Sequence, residues 1–383
     1  MKTILILSFS SIQHDARVTR QIEFLSKTYK LTIAAFNNQE DSPLEFIKLE
    51  KTKLDLFTKI ITAFFLLLRI HRISYPLLFG QKAFKKKLGN RKFDLVIAND
   101  VDSLPLAFQL DAGEKVLLDA HEYSPRQFED KLMWRILFQP LMYHICKKYI
   151  PLTVRMTTIG RGIANEYKKQ FKCNPYVLNN ATWYDPITPS EIIDNKIRLI
   201  HHGGATVSRQ LEIMIEMMSL LDARFTLDLM LIVPDTASSK TKGYIDYLKG
   251  LAKGDDRINF LPAVKSKEVI PNINRYDMGV ILVPPINFNY ANGLPNKLFE
   301  FIQAKLAVAI GPIPEIAEVV NQFDLGYVSE EFTAQSLASK LNGITKGDLI
   351  RFKQNACKAA IELSAEKNSK LLNELVANSL NEK

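Results

Sequence analysis

Tyr290-Ala-Asn-Gly-Leu-Pro-Asn-Lys-Leu-Phe-Glu300 lies between two apolar runs, Met278-Gly-Val-Ile-Leu-Val-Pro284 and Leu306-Ala-Val-Ala-Ile310. Both runs read as buried parallel strands. Between them the sequence predicts a loop, then a helix with Pro295 at its first position, where a missing N–H is tolerated. Asn296 and Glu300 fall four apart, on one face of that helix. Strand, loop, helix, strand is a layout that holds a phosphorylated ligand at the carboxyl ends of parallel strands. The amides of Gly293–Asn296 suit a pyrophosphate, and Lys297 adds a cation. A carboxylate one turn further in suits sugar hydroxyls.

The alternation extends outward along the chain. Upstream strand candidates are Thr3–Ser8, Leu31–Phe36, Asp94–Ala98, Lys115–Leu118, Met156–Ile159 and Tyr176–Leu178. A helix over Arg17–Thr28 places Val18, Ile22 and Leu25 on one face. Such alternation predicts a doubly wound parallel sheet. The polar, proline-containing stretch Asp185-Pro-Ile-Thr-Pro-Ser190 reads as a linker. The pattern then restarts with strand Lys196–His202, helix Gln210–Leu221, and strands Thr226–Val233 and Arg257–Leu261. The expected division is a first domain over 1–188, a second over 189–362, and a last helical segment over 363–383. Met214, Met217 and Met218 read as packing residues.

With 383 residues, 47% of them hydrophobic and 24% charged, the chain can build two cores. Cys146, Cys173 and Cys357 are scattered without pairing spacing, which argues for a reducing compartment and against a disulfide or zinc framework. Met1–Ser8 is apolar but short and runs on without a cleavage-like site, so it reads as a core strand and not as a signal peptide. The net charge of +9 suits an anionic partner. No basic stripe interleaved with aromatics is present, so nucleic acid is not the expected partner. Ile60–Ile70 is strongly apolar yet too short to span a bilayer, which needs about 20 residues. Arg69, Arg72, Lys82, Lys85, Lys86, Lys87, Arg91 and Lys92 surround or follow it. Two readings stay open for this segment: a helix lying on an anionic membrane surface, or a core helix beside a solvated basic face.

Leu294–Glu300 resembles the donor-nucleotide motif of retaining GT-B glycosyltransferases, the large group often called family 4. Asp15-Ala-Arg-Val, Ala98-Asn-Asp100 with Leu104-Pro105, Asp119-Ala-His-Glu122, and Gly203-Gly204 with Arg209 resemble further elements of that family, in matching order. Two positions depart from it. Asn292 stands where the family usually has a first glutamate, and Lys305 falls in a turn where it usually has Gly and Pro. The resemblance implies an α/β chain of GT-B type, with two Rossmann-like domains facing across a cleft. It implies a nucleotide-sugar donor held by Gly203, Gly204, Arg209, Gly293, Leu294, Asn296, Lys297 and Glu300. It places Asp15, Arg17 and Asp100 on the acceptor side, and gives His121 and Glu300 catalytic roles. No metal and no separate cofactor is expected, because fixed cations and helix amides can neutralise a departing diphosphate. The implied enzyme is cytoplasmic and peripheral to the inner face of the membrane. It transfers a sugar to a lipid-linked glycan in surface polysaccharide assembly. A non-catalytic sugar-binding subunit, or a nucleotide-sugar epimerase or hydrolase of the same fold, are the alternatives.

Each residue also has a plainer reading. His121 could merely tie a loop, and Glu122, next to it on an extended chain, would point the other way. His201 and His202 would also point oppositely, which disfavours a shared metal. Gly203-Gly204 could be a simple turn, and Arg209 a solvated helix residue. Asp15 could cap the helix it precedes, a role compatible with binding. Glu300 could be a surface carboxylate.

Overall fold

The computed structural model describes residues 1–38, 42–89, 91–110, 115–233 and 239–382. The chain divides into two compact units. The first comprises Met1–Asn179, Asn287–Asn289 and Asn368–Lys383, and the second comprises Asn180–Ile286 and Tyr290–Lys367.

The first unit holds β1 (Thr3–Ser8), β2 (Lys30–Ala35), β3 (Glu45–Lys48), β4 (Leu95–Asn99), β5 (Val116–Ala120), β6 (Arg155–Thr158) and β7 (Tyr176–Val177). They form one sheet in the order β3-β2-β1-β4-β5-β6-β7, with every pairing parallel. The second unit holds β8 (Ile197–Gly204), β9 (Phe225–Ile232), β10 (Ile258–Leu261), β11 (Met278–Ile281), β12 (Ala307–Ile310) and β13 (Gly326–Val328). Their order is β10-β9-β8-β11-β12-β13, again all parallel. The predicted doubly wound class is therefore met in each half. Strand order reverses at β1/β4 and at β8/β11, the places where such sheets leave a crevice for ligands.

The apolar runs fold as strands because both sheet faces are covered and nearly every side chain is buried. Two strands carry no such run. β3 (Glu-Phe-Ile-Lys) and β13 (Gly-Tyr-Val) are short edge strands, only partly buried, and the sequence reading misses both. Helix Ala16–Leu25 buries Val18, Ile22 and Leu25 as predicted, and Asp15 caps it by accepting from the Val18 amide at 3.1 Å. Met214, Met217 and Met218 are fully buried packing residues. From Asn368 onward, helix Ala365–Asn381 belongs to the first unit, where Leu372, Leu375 and Val376 pack with Ile4, Ile6 and Ile22.

The units part at Asn179–Asn180, ahead of the proline-containing stretch read as a linker. That stretch is not free. The Asp185 amide donates to Gln303 Oε1 at 3.0 Å, and Lys305 Nζ donates to the Asp185 carbonyl at 2.9 Å. Lys305 is buried, with φ +59, and its ammonium stands 4.9 Å from the Tyr184 ring centroid. The left-handed turn that glycine makes elsewhere is thus made here by a lysine, at about 1 kcal/mol of backbone strain that its polar contacts offset.

Helix Asn296–Gln303 carries the stretch from which the fold was read. Pro295 is not its first residue, as the sequence suggested, but its extended N-cap, at ψ 148°. Leu298, Phe299, Phe301 and Ile302 bury the inner face. Gly279 on β11 admits Phe301 closely: a Cβ there would meet the ring at 2.3 Å. Gly279→Ala is therefore expected to destabilise the chain by about 1–3 kcal/mol through overpacking. A urea midpoint equal to that of the wild type would show that this contact does not fix the helix.

Candidate functional site

In the second unit, β8 ends in Gly203-Gly204 at the strand-order reversal. Gly203 sits at φ +119, a conformation that favours glycine. A Cβ on Gly203 would stand 3.4 Å from Arg209 Nη1 and 3.7 Å from Lys297 Nζ. Arg209 Nη1 donates to the Gly204 carbonyl at 2.8 Å. Two basic side chains from separate segments therefore converge on one bare piece of backbone. Glu300 lies one helical turn beyond Lys297, with Oε2 3.5 Å from His202 Nε2. His202 packs edge-on against Phe301. Burial, reinforced by Lys297 and Arg209, pushes its imidazole down to about 3, so it is neutral at ordinary pH. Leu294 is buried, and its carbonyl accepts from Asn180 Nδ2 at 2.8 Å. Asn296 is exposed at the helix start. Gly203, Gly204, Arg209, Lys297 and Glu300 thus form one neighbourhood. The Leu294 side chain belongs to the core.

In the first unit, the ends of β4 and β5 and the helix after β1 build a polar cluster. Asp119, buried on β5, receives Arg17 in a two-pronged pair, at 2.9 Å from Nε and 2.5 Å from Nη2. Thr157 Oγ1 donates to it at 2.6 Å and Gln21 Nε2 at 3.3 Å. Arg17 also donates to the Leu178 carbonyl. Its guanidinium is therefore engaged by both Asp119 and the Leu178 carbonyl.

His121 follows β5 directly. Its Nε2 lies 3.2 Å from Asn99 Oδ1 and 3.5 Å from Asp119 Oδ2, and its Nδ1 lies 3.6 Å from Asp100 Oδ2. Burial disfavours the imidazolium, but Asp100 and Asp119 outweigh it and raise the pKa to about 9. Burial likewise disfavours an ionised Asp119, and Arg17 and His121 overcome this to hold it well below the usual range. The result is a locked cation–carboxylate network with His121 charged at neutral pH.

Asp100 is backbone-strained, at φ +63 and ψ 155, a region almost confined to glycine. The contacts that enforce it are local. Its Oδ1 accepts from the His121 amide at 2.9 Å, and its carbonyl accepts from Ser103 Oγ at 2.7 Å. Burial, together with Asp100, pushes Asp102 and Glu122 each up to about 7. Glu122 lies beyond the strand. β5 ends at Ala120, so strand alternation stops there, and the Glu122 carboxyl lies within electrostatic reach of both Asp100 and His121.

Asn287–Asn289 complete the first unit near this cluster. Asn289 Oδ1 accepts from the Tyr123 amide at 2.7 Å, Phe288 N donates to Glu129 Oε1 at 2.7 Å, and Arg126 stands 4.6 Å over the Phe288 ring. Gln21 and Thr157 join this cluster with no signal in the sequence, whereas Asn99 and Asp119 stand in the Ala98-Asn-Asp100 and Asp119-Ala-His-Glu122 stretches already noted. The legible signal on β5 was an acid, Asp119, inside an otherwise apolar strand.

The same unit bears an apolar surface. Helix Leu56–Leu67 buries only Thr62 and Leu66. Phe57 (73% exposed), Ile60 (60%) and Phe64 (56%) lie open along one stripe, which excludes the core-helix reading for that face. Leu132, Met133 and Ile136 are exposed on the neighbouring helix Leu132–Leu137, where Arg69 Nη1 donates to the Ile136 carbonyl at 2.7 Å. Lys59, Lys82, Lys85 and Lys86 are exposed on this unit too. Among the described residues, no helix is long and apolar enough to cross a membrane.

No known protein family and no curated protein matches the chain. Solved structures do match. A glycosyltransferase from Rickettsia africae ESF-5 superposes with a TM-score of 0.67 at 14% identity, over 100% of this chain and 99% of that one. Sucrose-phosphate synthase from Thermosynechococcus elongatus gives 0.71 at 12%, over 99% of each chain. Anabaena HepE, in complex with UDP and glucose, gives 0.68 at 13%, over 98% and 100%. At such identities the likeness establishes the fold, and that fold is the two-domain GT-B architecture.

Proposed function

We propose that the chain is a metal-independent, retaining glycosyltransferase. It moves a sugar from a nucleoside diphosphate to a lipid-linked glycan, at the inner face of a membrane, during surface polysaccharide assembly. The observation that carries this reading is the meeting of Arg209 and Lys297 over the bare backbone of Gly203-Gly204, with Glu300 one turn away. Breaking a sugar–phosphate bond leaves negative charge on the diphosphate, and fixed cations beside free amides can stabilise it. HepE, of the same fold, was solved with UDP and glucose, which suits a UDP-type donor here. Lys305 preserves the turn that glycine usually makes, so that departure gives no support to a degenerate, non-catalytic subunit. Asp100 and the charged His121 line the acceptor side, with Asp15 beside them.

Glu300 is the direct test. A carboxylate bonded to ribose or sugar hydroxyls contributes roughly 1.5–3 kcal/mol, so Glu300→Ala should lose at least about tenfold in turnover or donor affinity. The donor is found first, by thermal shift against UDP-, GDP-, ADP- and TDP-sugars. Unchanged kinetics in the variant, with the donor identified, would remove Glu300 from the site.

The apolar stripe and exposed lysines support seating on an anionic bilayer. Binding to anionic vesicles should weaken with salt, since screening shortens to about 3 Å at 1 M. Lys85 and Lys86 changed to glutamate, or Phe57 and Phe64 changed to serine, should release the chain while its melting temperature holds. Equal binding to neutral and anionic vesicles would exclude the electrostatic part.

A further inference from the structure

His201 is a buried histidine that no step above uses. It lies on β8 with no solvent exposure. Its Nδ1 is 2.8 Å from the Val280 carbonyl, and its Nε2 is 3.0 Å from Lys297 Nζ. A carbonyl can only accept, so Nδ1 carries the ring hydrogen. Nε2 then has a free lone pair, and Lys297 must donate to it. The geometry fixes both tautomer and direction.

We infer that His201 is a positioning residue: it holds the Lys297 side chain over Gly203 and couples diphosphate binding to proton uptake by that lysine. This rests on the donor-site reading above. Lys297 has a flexible stem and no intrinsic reason to lie beside Arg209, whose charge repels it. A neutral acceptor behind it supplies the aim without cancelling the charge that a diphosphate needs. A carboxylate in the same place would do so.

The groups facing Lys297 are Arg209 from the loop after β8, His201 and His202 from β8 itself, and Glu300 from its own helix. Enclosure away from water, followed by Arg209, lowers the Lys297 pKa well below its ordinary value, and Glu300 only partly opposes this. A bound diphosphate reverses the repulsion from Arg209 by placing negative charge between the two cations. The lysine pKa then rises, and the complex takes up a proton. Burial and Lys297 keep His201 neutral throughout. Binding should accordingly strengthen as pH falls from the lysine's pKa in the complex toward its lower pKa in the free protein, and level off below that.

Calorimetry with UDP and with uridine tests this on the full chain. Titrations run at about pH 8, where a terminal phosphate with a pKa near 6 is already ionised. Tris and HEPES buffers, which differ in ionisation enthalpy, reveal the proton count. The wild type should take up protons with UDP and none with uridine, and Lys297→Met should abolish the uptake. His201→Leu should weaken UDP about tenfold and leave uridine unchanged, the size expected for one lost bond to a charged group. His201→Gln, which restores an acceptor, should recover most of the affinity. A folded His201→Leu that binds UDP like wild type, or loses UDP and uridine alike, overturns the positioning role. Should His201→Leu fail to fold, buffer-independent UDP binding by the wild type and by His201→Gln overturns it instead. Tight UDP binding that Lys297→Met does not weaken overturns the inference and removes Lys297 from the donor site, while leaving nucleotide binding itself standing. No binding of UDP, GDP, ADP or TDP by the wild type overturns both.

Discussion

Replacing His121 by alanine is expected to lower turnover about 10²-fold, the lower end of positioning and acid–base effects, while nucleoside diphosphate affinity stays near wild type. The separation follows from the fold, because His121 belongs to the first unit and the cation pair to the second. Asp119 remains paired with Arg17 in the variant, so the buried carboxylate is not left bare. The role predicted is that of a cation. At pKa about 9 the ring is already protonated at neutral pH and cannot accept a proton as a general base.

The pH dependence carries a definite sign. The folded pKa of about 9 exceeds the unfolded value of about 6.5, so the stabilisation His121 provides is complete below about pH 6.5 and is lost as pH rises through about 9. Wild-type turnover should fall along the same alkaline limb, and His121→Ala should lack that limb. Loss of nucleotide binding together with a lowered melt would make His121 a structural residue.

Arg209→Ala carries the second large effect. Removing a guanidinium that meets a diphosphate costs roughly 1.5–3 kcal/mol, or about 10–10²-fold in UDP affinity. Uridine affinity should not change, since the nucleoside lacks the phosphates. The loss should shrink as salt rises, less steeply than for an exposed pair, because the side chain is only partly open. Equal losses for UDP and uridine would mean that Arg209 touches no phosphate.

What the sequence revealed and what it hid divide along physical lines. Thr3–Ser8 was legible to the residue because a strand covered on both faces reads as an unbroken apolar run. β3 and β13 were invisible because an edge strand needs no such run. Gly203, Arg209, Lys297 and Glu300 could be named because glycine, cations and an acid stand out beside strand ends. His201 could not be connected to Lys297, since 96 residues separate them and only the β8–β11 neighbourhood brings them together. The pairing of Arg17 with Asp119 was hidden, because a two-pronged contact depends on how a strand and a helix 102 residues apart are placed. Glu122 lies two residues past the end of β5, where strand alternation gives no reading of its direction.

The return of Asn368–Lys383 to the first unit bears on how the protein is made. A ribosome delivers Ile4, Ile6 and Ile22 first, yet Leu372, Leu375 and Val376, which cover them, come about 190 residues after Asn179. At about 5–20 residues per second, that gap is roughly 10–40 s. During it the nascent first half exposes an apolar stripe that its own late helix is meant to fill. The second half, whose sheet is contiguous from β8 to β13, can finish while the first still waits. A gene fragment ending near Asn179 should therefore yield chaperone-bound or aggregated protein, and supplying the late helix as a separate peptide should rescue its solubility.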